Sequence, residues 1–268
     1  MKNIWNKIPA WIKVILINCV VMYPVIILIQ STVVFNLQSG SEIPWALAFT
    51  MVVLFGFWKL VQRFTNFNQP EDVKIKMDLN LSDSNVWFRI VGIILITISA
   101  ISLFSFLFKD VPEEQLAFFK LFENYSATLA LPLLFSVALT AGVVEETVYR
   151  GIIQNTLVRT YPKIASFIGI AVLFALMHFL PVSLILAYLF VSTSFSFIAD
   201  EFKSLGAVIT AHVLVDVIVL FTGYYMGYET TNEQVIPLLI AFVVGLFFLL
   251  YKNPLLQGVK ARKLEVQS

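Results

Sequence analysis

Residues 126–158 read SATLALPLLFSVALTAGVVEETVYRGIIQNTLV. The first half, from Ala127 to Val144, is apolar enough to lie in lipid. Glu145, Glu146 and Arg150 then interrupt it without any turn signal. An ionisable side chain in a bilayer core costs several kcal/mol unless it is paired or lines a polar cavity. The stretch therefore predicts a transmembrane helix that carries a functional group of charges, too long at 126–158 for one crossing. Past Arg150 it is expected to emerge into water or to bend.

The rest of the chain reads the same way. Of its 268 residues, 59% are hydrophobic and 13% charged, against roughly 25% charged in an ordinary soluble domain. Further apolar runs fall near 12–36, 44–62, 87–108, 163–180, 182–200, 205–226 and 234–252. With the first, they predict an all-α, multi-pass helix bundle of about eight spans. It forms one integral membrane domain over 1–268, with no room for a sizeable soluble one. Pro24, Pro132 and Pro181 are expected to kink or break helices, and Pro181 forces a tight hairpin between the fifth and sixth. Of the 18 Lys and Arg, only Lys109 and Lys120 fall on one side of this layout. The other sixteen fall on the opposite side, which the positive-inside rule makes cytoplasmic, with both termini. All five tryptophans, Trp5, Trp11, Trp45, Trp58 and Trp87, lie near span ends, as an interfacial aromatic belt requires.

Other segments are less telling. Arg63–Val86 reads as a solvated connector, and Asp110–Asn124 as an amphipathic stretch able to lie on the outer interface. Cys19 stands alone, so an intrachain disulfide and a multi-cysteine metal site are excluded; its apolar neighbours suggest a buried thiol. The net charge of +1 says nothing about nucleic acid; no basic aromatic groove is visible, and no nucleic-acid partner is expected.

Six ionisable residues in the apolar runs carry the chemistry. Glu146 and Arg150, four apart with the acid first, share a helix face and suit an ion pair. Glu145 points about a quarter-turn away. Lacking a dedicated partner, it is the better candidate base. Phe174 and His178 are four apart, so ring and imidazole share a face. His212 and Asp216 have the same spacing, which allows an Asp–His hydrogen bond or two polar groups aimed at a substrate carbonyl. No His-Glu-x-x-His or Gly-x-Ser-x-Gly pattern and no phosphate-binding glycine loop is present. Ser192, Thr193, Ser194 and Ser196 have no base beside them, and are expected to line a cavity or bond across helices.

Depth sets a constraint. Lys163 to His178 and Arg159 back to Glu145 each span about 21–22 Å of helix, whereas Lys203 to His212 spans only about 14 Å. The seventh helix must start deeper, or the site must open as a funnel.

The motifs Glu145-Glu146-x-x-x-Arg150, Phe174-x-x-x-His178 and His212-x-x-x-Asp216, in this order on successive spans, resemble the CPBP family. This group of intramembrane proteases includes the type II CAAX prenyl proteases and bacteriocin-processing or self-immunity proteins. The resemblance covers residues 125–225, which it marks as a catalytic core. It implies an intramembrane endopeptidase at the cell membrane, acting on a membrane-associated peptide or membrane protein. Glu145 would activate a water that His178 helps to orient, and His212 with Asp216 would stabilise the oxyanion. Glu146, Arg150 and Phe174 would support them. The prenyl-protease branch carries Asn where Asp216 stands. The family is often described as metalloproteases, so zinc on Glu145, His178 and His212 and a metal-free Glu–His mechanism both stay open. Two other readings also stay open: a non-proteolytic immunity or scaffold protein, and a proton-coupled transporter.

Overall fold

A computed structural model describes residues 7–66, 75–76, 78–108, 118, 120–178, 181–226 and 230–251. These residues form eight helices and no strand. In chain order they are α1 (Ala10–Gln38), α2 (Trp45–Asn66), α3 (Ser84–Phe108), α4 (Ala127–Leu157), α5 (Lys163–Met177), α6 (Val182–Phe202), α7 (Gly206–Met226) and α8 (Asn232–Leu250). Seven are long and apolar enough to cross a membrane. The exception is α5, whose 15 residues rise only about 22 Å against a hydrocarbon core of roughly 30 Å. The outward faces are apolar as well: Ile236, Ile240, Val243 and Phe247 of α8 are exposed, a surface that lipid rather than water would cover.

Three expectations change at prolines and at Cys19. Pro24 does not end α1. Proline lacks an N–H, and its ring collides with the carbonyl four residues back. The turn Asn18–Met22 widens into a π-turn instead, with the Tyr23 N–H bonded to the Asn18 carbonyl. Pro132 leaves Ala127–Thr140 uninterrupted, because so near the helix start it forfeits one ladder bond only. Cys19 is exposed rather than buried: its apolar neighbours share the lipid-facing surface and do not cover it. Pro181 does break the chain, as the N-cap of α6 four residues after the end of α5.

The second half of α4 does not emerge into water. It continues through π-helical turns at Ala141–Glu145 and Thr147–Gln154, and Arg150, Ile153, Gln154 and Asn155 are all buried. Polar side chains staple it to α6. Arg150 donates to the Ser192 carbonyl at 3.0 Å, and Gln154 to the Ser196 carbonyl at 3.0 Å.

The connector between α2 and α3 is not freely solvated where it is described; residues 67–74 and 77 lie outside the described part. Ile75 is buried and its N–H bonds Asn155 Oδ1 at 3.2 Å. Lys76 pairs with the backbone of Lys203 and Leu205. The Ser204 hydroxyl bonds Asp78, and a Cβ on Gly206 would stand 2.8 Å from the Leu79 carbonyl carbon. This strap covers the start of α7, where Ser204, Leu205 and Ala207 are buried. Helix α7 thus begins under the cover of this strap. Most of Asp110–Asn124 lies outside the described residues; Phe122 is buried in a core cluster with Leu133 and Leu134 rather than lying on a surface.

Arg89 is not a free surface charge either. It is buried and holds Glu201 through two bonds of 3.0 and 2.8 Å. It also donates to the Phe248 and Tyr251 carbonyls at 3.0 and 2.7 Å, tying α3, α6 and the end of α8 together.

Candidate active site

Helices α4, α5, α6 and α7 bring all the motif residues into one cluster around Phe174. The buried Phe174 ring packs on His178 at 4.4 Å and edge-on to Tyr149 at 5.2 Å and His212 at 6.2 Å. The Arg150 guanidinium lies 5.2 Å over the same ring and 5.3 Å over Phe195. The His212 imidazole stacks on Phe195 at 5.5 Å.

One charged core organises the site. Glu146 and Arg150 are both wholly buried and paired at 3.0 Å. Arg150 also donates to the Ser192 hydroxyl at 2.8 Å. The same Glu146 oxygen, Oε1, lies 2.7 Å from His212 Nδ1. Arg150 already holds the negative charge of this carboxylate, so Nδ1 carries the proton and donates. The carboxylate that orients His212 is therefore Glu146, from another helix, and not Asp216 as the four-residue spacing suggested. Asp216 faces the other ring nitrogen, Nε2, at 3.7 Å.

Glu145 stands apart from this core, as its position a quarter-turn away implied. Its Oε2 is buried without a hydrogen-bond partner among the described residues, and lies 3.7 Å from His178 Nε2. Local structure fixes the histidine. Helix α5 ends at Met177, and the His178 backbone N–H bonds the Ala175 carbonyl. The Phe174 carbonyl, among the last four of the helix and so without an intrahelical partner, is met instead by His178 Nδ1 at 2.7 Å. A carbonyl only accepts, so Nδ1 carries the proton, and in the neutral imidazole Nε2 then presents its lone pair toward Glu145.

Close approach of α7 to α4 rests on Gly142. A Cβ there would fall 2.4 Å from Val213 Cγ2 and 3.0 Å from the Val213 nitrogen. Gly142 is one turn before Glu146, and Val213 adjoins His212, so this contact sets the reach of the Glu146–His212 bond. Nothing in the sequence reading singled out Gly142, Phe195 or the Ser192 contact to Arg150. The serine run was expected to bond across helices, and Ser192 does. Thr193 and Ser194 instead bond back to the Leu189 and Phe190 carbonyls of their own helix.

The residues do not suit a resident zinc. A catalytic zinc takes three protein ligands on one centre. Among the described residues no three His, Cys, Asp or Glu side chains are so grouped. Both Nδ1 atoms are committed to hydrogen bonds, and the two Nε2 atoms face different carboxylates.

An all-helical, multi-pass membrane protein with an acid–imidazole cluster among its helices is the class that fold and site define. Residues 127–218 match the family model of type II CAAX prenyl endopeptidase, Rce1-like. The matched segment contains every residue of the cluster, and the match agrees with the family that the three motifs resemble. No curated protein and no solved structure matches the chain.

Proposed function

We propose that the chain is an intramembrane endopeptidase of the CAAX-protease-like kind, cleaving a membrane-associated peptide or membrane protein at the cell membrane. One observation carries this reading. Glu145 Oε2, buried and without a hydrogen bond among the described residues, faces Nε2 of His178 at 3.7 Å, and Nε2 can accept in the neutral imidazole. A water in contact with both can donate a proton to each, which aims its oxygen lone pair outward at a substrate carbonyl. Glu145 takes a proton as the water oxygen attacks, and the tetrahedral intermediate collapses with loss of the amine, which leaves with a proton. Glu146, Arg150 and Ser192 keep His212 in place on the far side of Phe174. No step passes through a metal.

With both termini on the cytoplasmic side, as the charge asymmetry of the loops favours, the substrate would be met from the inner leaflet. Substrates of fitting chemistry are lipid-anchored peptides, bacteriocin precursors and single membrane-spanning segments. Peptide-release mass spectrometry, comparing membranes that carry the intact chain with ones carrying Glu145→Ala, tests the proposal. Peptides released only by the intact chain are expected. Identical peptide profiles at equal protein levels would favour the immunity or scaffold reading.

A further inference from the structure

Stabilising the intermediate poses a problem of charge. The acids around the reaction centre are Glu145, Glu146 and Asp216, and the one permanent cation, Arg150, is buried against Glu146 and Ser192. Whichever protonation state His212 takes, its Nε2 is turned to Asp216 at 3.7 Å. An ionised Asp216 can only accept hydrogen bonds, so beside a developing oxyanion it repels. A further hydrogen-bond donor beside the reaction centre, outside the His212–Asp216 pair, would offset that repulsion.

Helix α6 places one there. Tyr188 is half-buried, with its ring 5.2 Å from the His178 imidazole and 6.2 Å from Phe174. Among the described residues its hydroxyl has no hydrogen-bond partner. The other tyrosines nearby are less suited: Tyr23 donates to the Met177 carbonyl and sulfur, and Tyr149 is wholly buried behind Phe174.

We infer that Tyr188 is a catalytic residue of this site, its hydroxyl donating a hydrogen bond to the oxyanion of the tetrahedral intermediate. The inference rests on the hydrolase reading above. The phenol keeps its proton throughout. The bonds made and broken are those of the hydrolysis itself: water oxygen to carbonyl carbon, and carbonyl carbon to amide nitrogen.

The test uses the full-length chain in membranes and a synthetic peptide spanning a cleavage site found by the Glu145→Ala comparison. Tyr188→Phe keeps the ring against His178 and Phe174 and removes only the donor. It is expected to lower kcat roughly 10²–10³-fold, with KM and thermal stability near those of the intact chain. Adding Asp216→Asn removes the repelling charge and supplies an amide donor, so the double variant is expected to regain at least about tenfold of that loss. Wild-type turnover by Tyr188→Phe overturns the inference alone. So does a deficit that Asp216→Asn leaves in place, since Tyr188 would then serve only to pack His178. Release of no peptide by the intact chain overturns the hydrolase reading, and this inference with it.

Discussion

His212 Nδ1 lies 2.7 Å from Oε1 of Glu146, a residue 66 positions earlier in the chain. The neighbouring acid, Glu145, has no such tie. Two adjacent glutamates thus differ in what their loss would do. Glu146→Ala strands a wholly buried Arg150 and frees His212; breaking a buried pair of this kind costs about 3–5 kcal/mol. Glu145→Ala removes a carboxylate whose buried oxygen has no hydrogen bond, and should leave stability within about 0.5 kcal/mol. Both variants are expected to lose peptide release. Thermal unfolding in detergent separates them: Glu146→Ala melts well below the intact chain, whereas Glu145→Ala melts near it. Equal melting of the two variants would remove the organising role assigned to Glu146.

Gly142 offers an independent handle on the same bond. Its Cβ position is occupied by Val213, both side chain and backbone, so Gly142→Ala must push α7 away from α4. Overpacking of this sort costs typically about 1–3 kcal/mol. The displaced backbone adjoins His212, so activity should fall by more than the stability loss explains. Gly142→Ala paired with Val213→Ala, which removes the Cγ2 atom, is expected to recover most of both. Peptide release measured beside thermal unfolding for the single and paired variants checks this.

The Glu146–Arg150 pair and the Phe174–His178 contact were readable from the sequence because both are local. A spacing of four on a helix fixes which side chains meet. The fold class was readable for a similar reason: apolar runs of membrane length leave few alternatives to a helix bundle. What escaped was set by how helices pack. The spacing of four allows His212 an Asp216 partner but cannot reveal Glu146, because nothing in a single chain shows that α4 and α7 touch at Gly142. Arg89 reads as one more of the sixteen cations on the cytoplasmic side, since its acceptors, Glu201 and two carbonyls at the end of α8, are all more than 100 residues away. The strap over α7 was missed because Asp, Asn and Lys in a loop read as solvated. Its hold comes from backbone pairing at Lys76 and from the apolar Ile75, which is buried.

Metal removal should leave the proposed activity intact. Zinc on Glu145, His178 and His212 would have to displace neither Nδ1 hydrogen bond and yet gather two Nε2 atoms that face different carboxylates. We expect purified protein to carry less than one equivalent of zinc and peptide release to survive a chelator. Activity abolished by chelation and restored by zinc would show that the helices rearrange to form a three-ligand site.

The clamp at Arg89 lies outside the reaction centre and should affect stability without chemistry. Arg89→Met removes two bonds to Glu201 and the donors that meet the Phe248 and Tyr251 carbonyls at the end of α8. With Glu201 left unpaired, a loss of about 3–5 kcal/mol is expected. Replacing both ions by apolar residues usually restores such a loss. Here Arg89→Met with Glu201→Leu should recover only part of it, because the two carbonyls still lack a donor. Hydrogen exchange reports this directly: in the double variant the last turn of α8 should exchange faster while the amides around Glu146 keep their protection. Full protection of that turn in Arg89→Met would mean that the Gly92–Gly245 contact between α3 and α8, where a Cβ on Gly92 would lie 2.9 Å from the Gly245 oxygen, holds the helix end without the clamp.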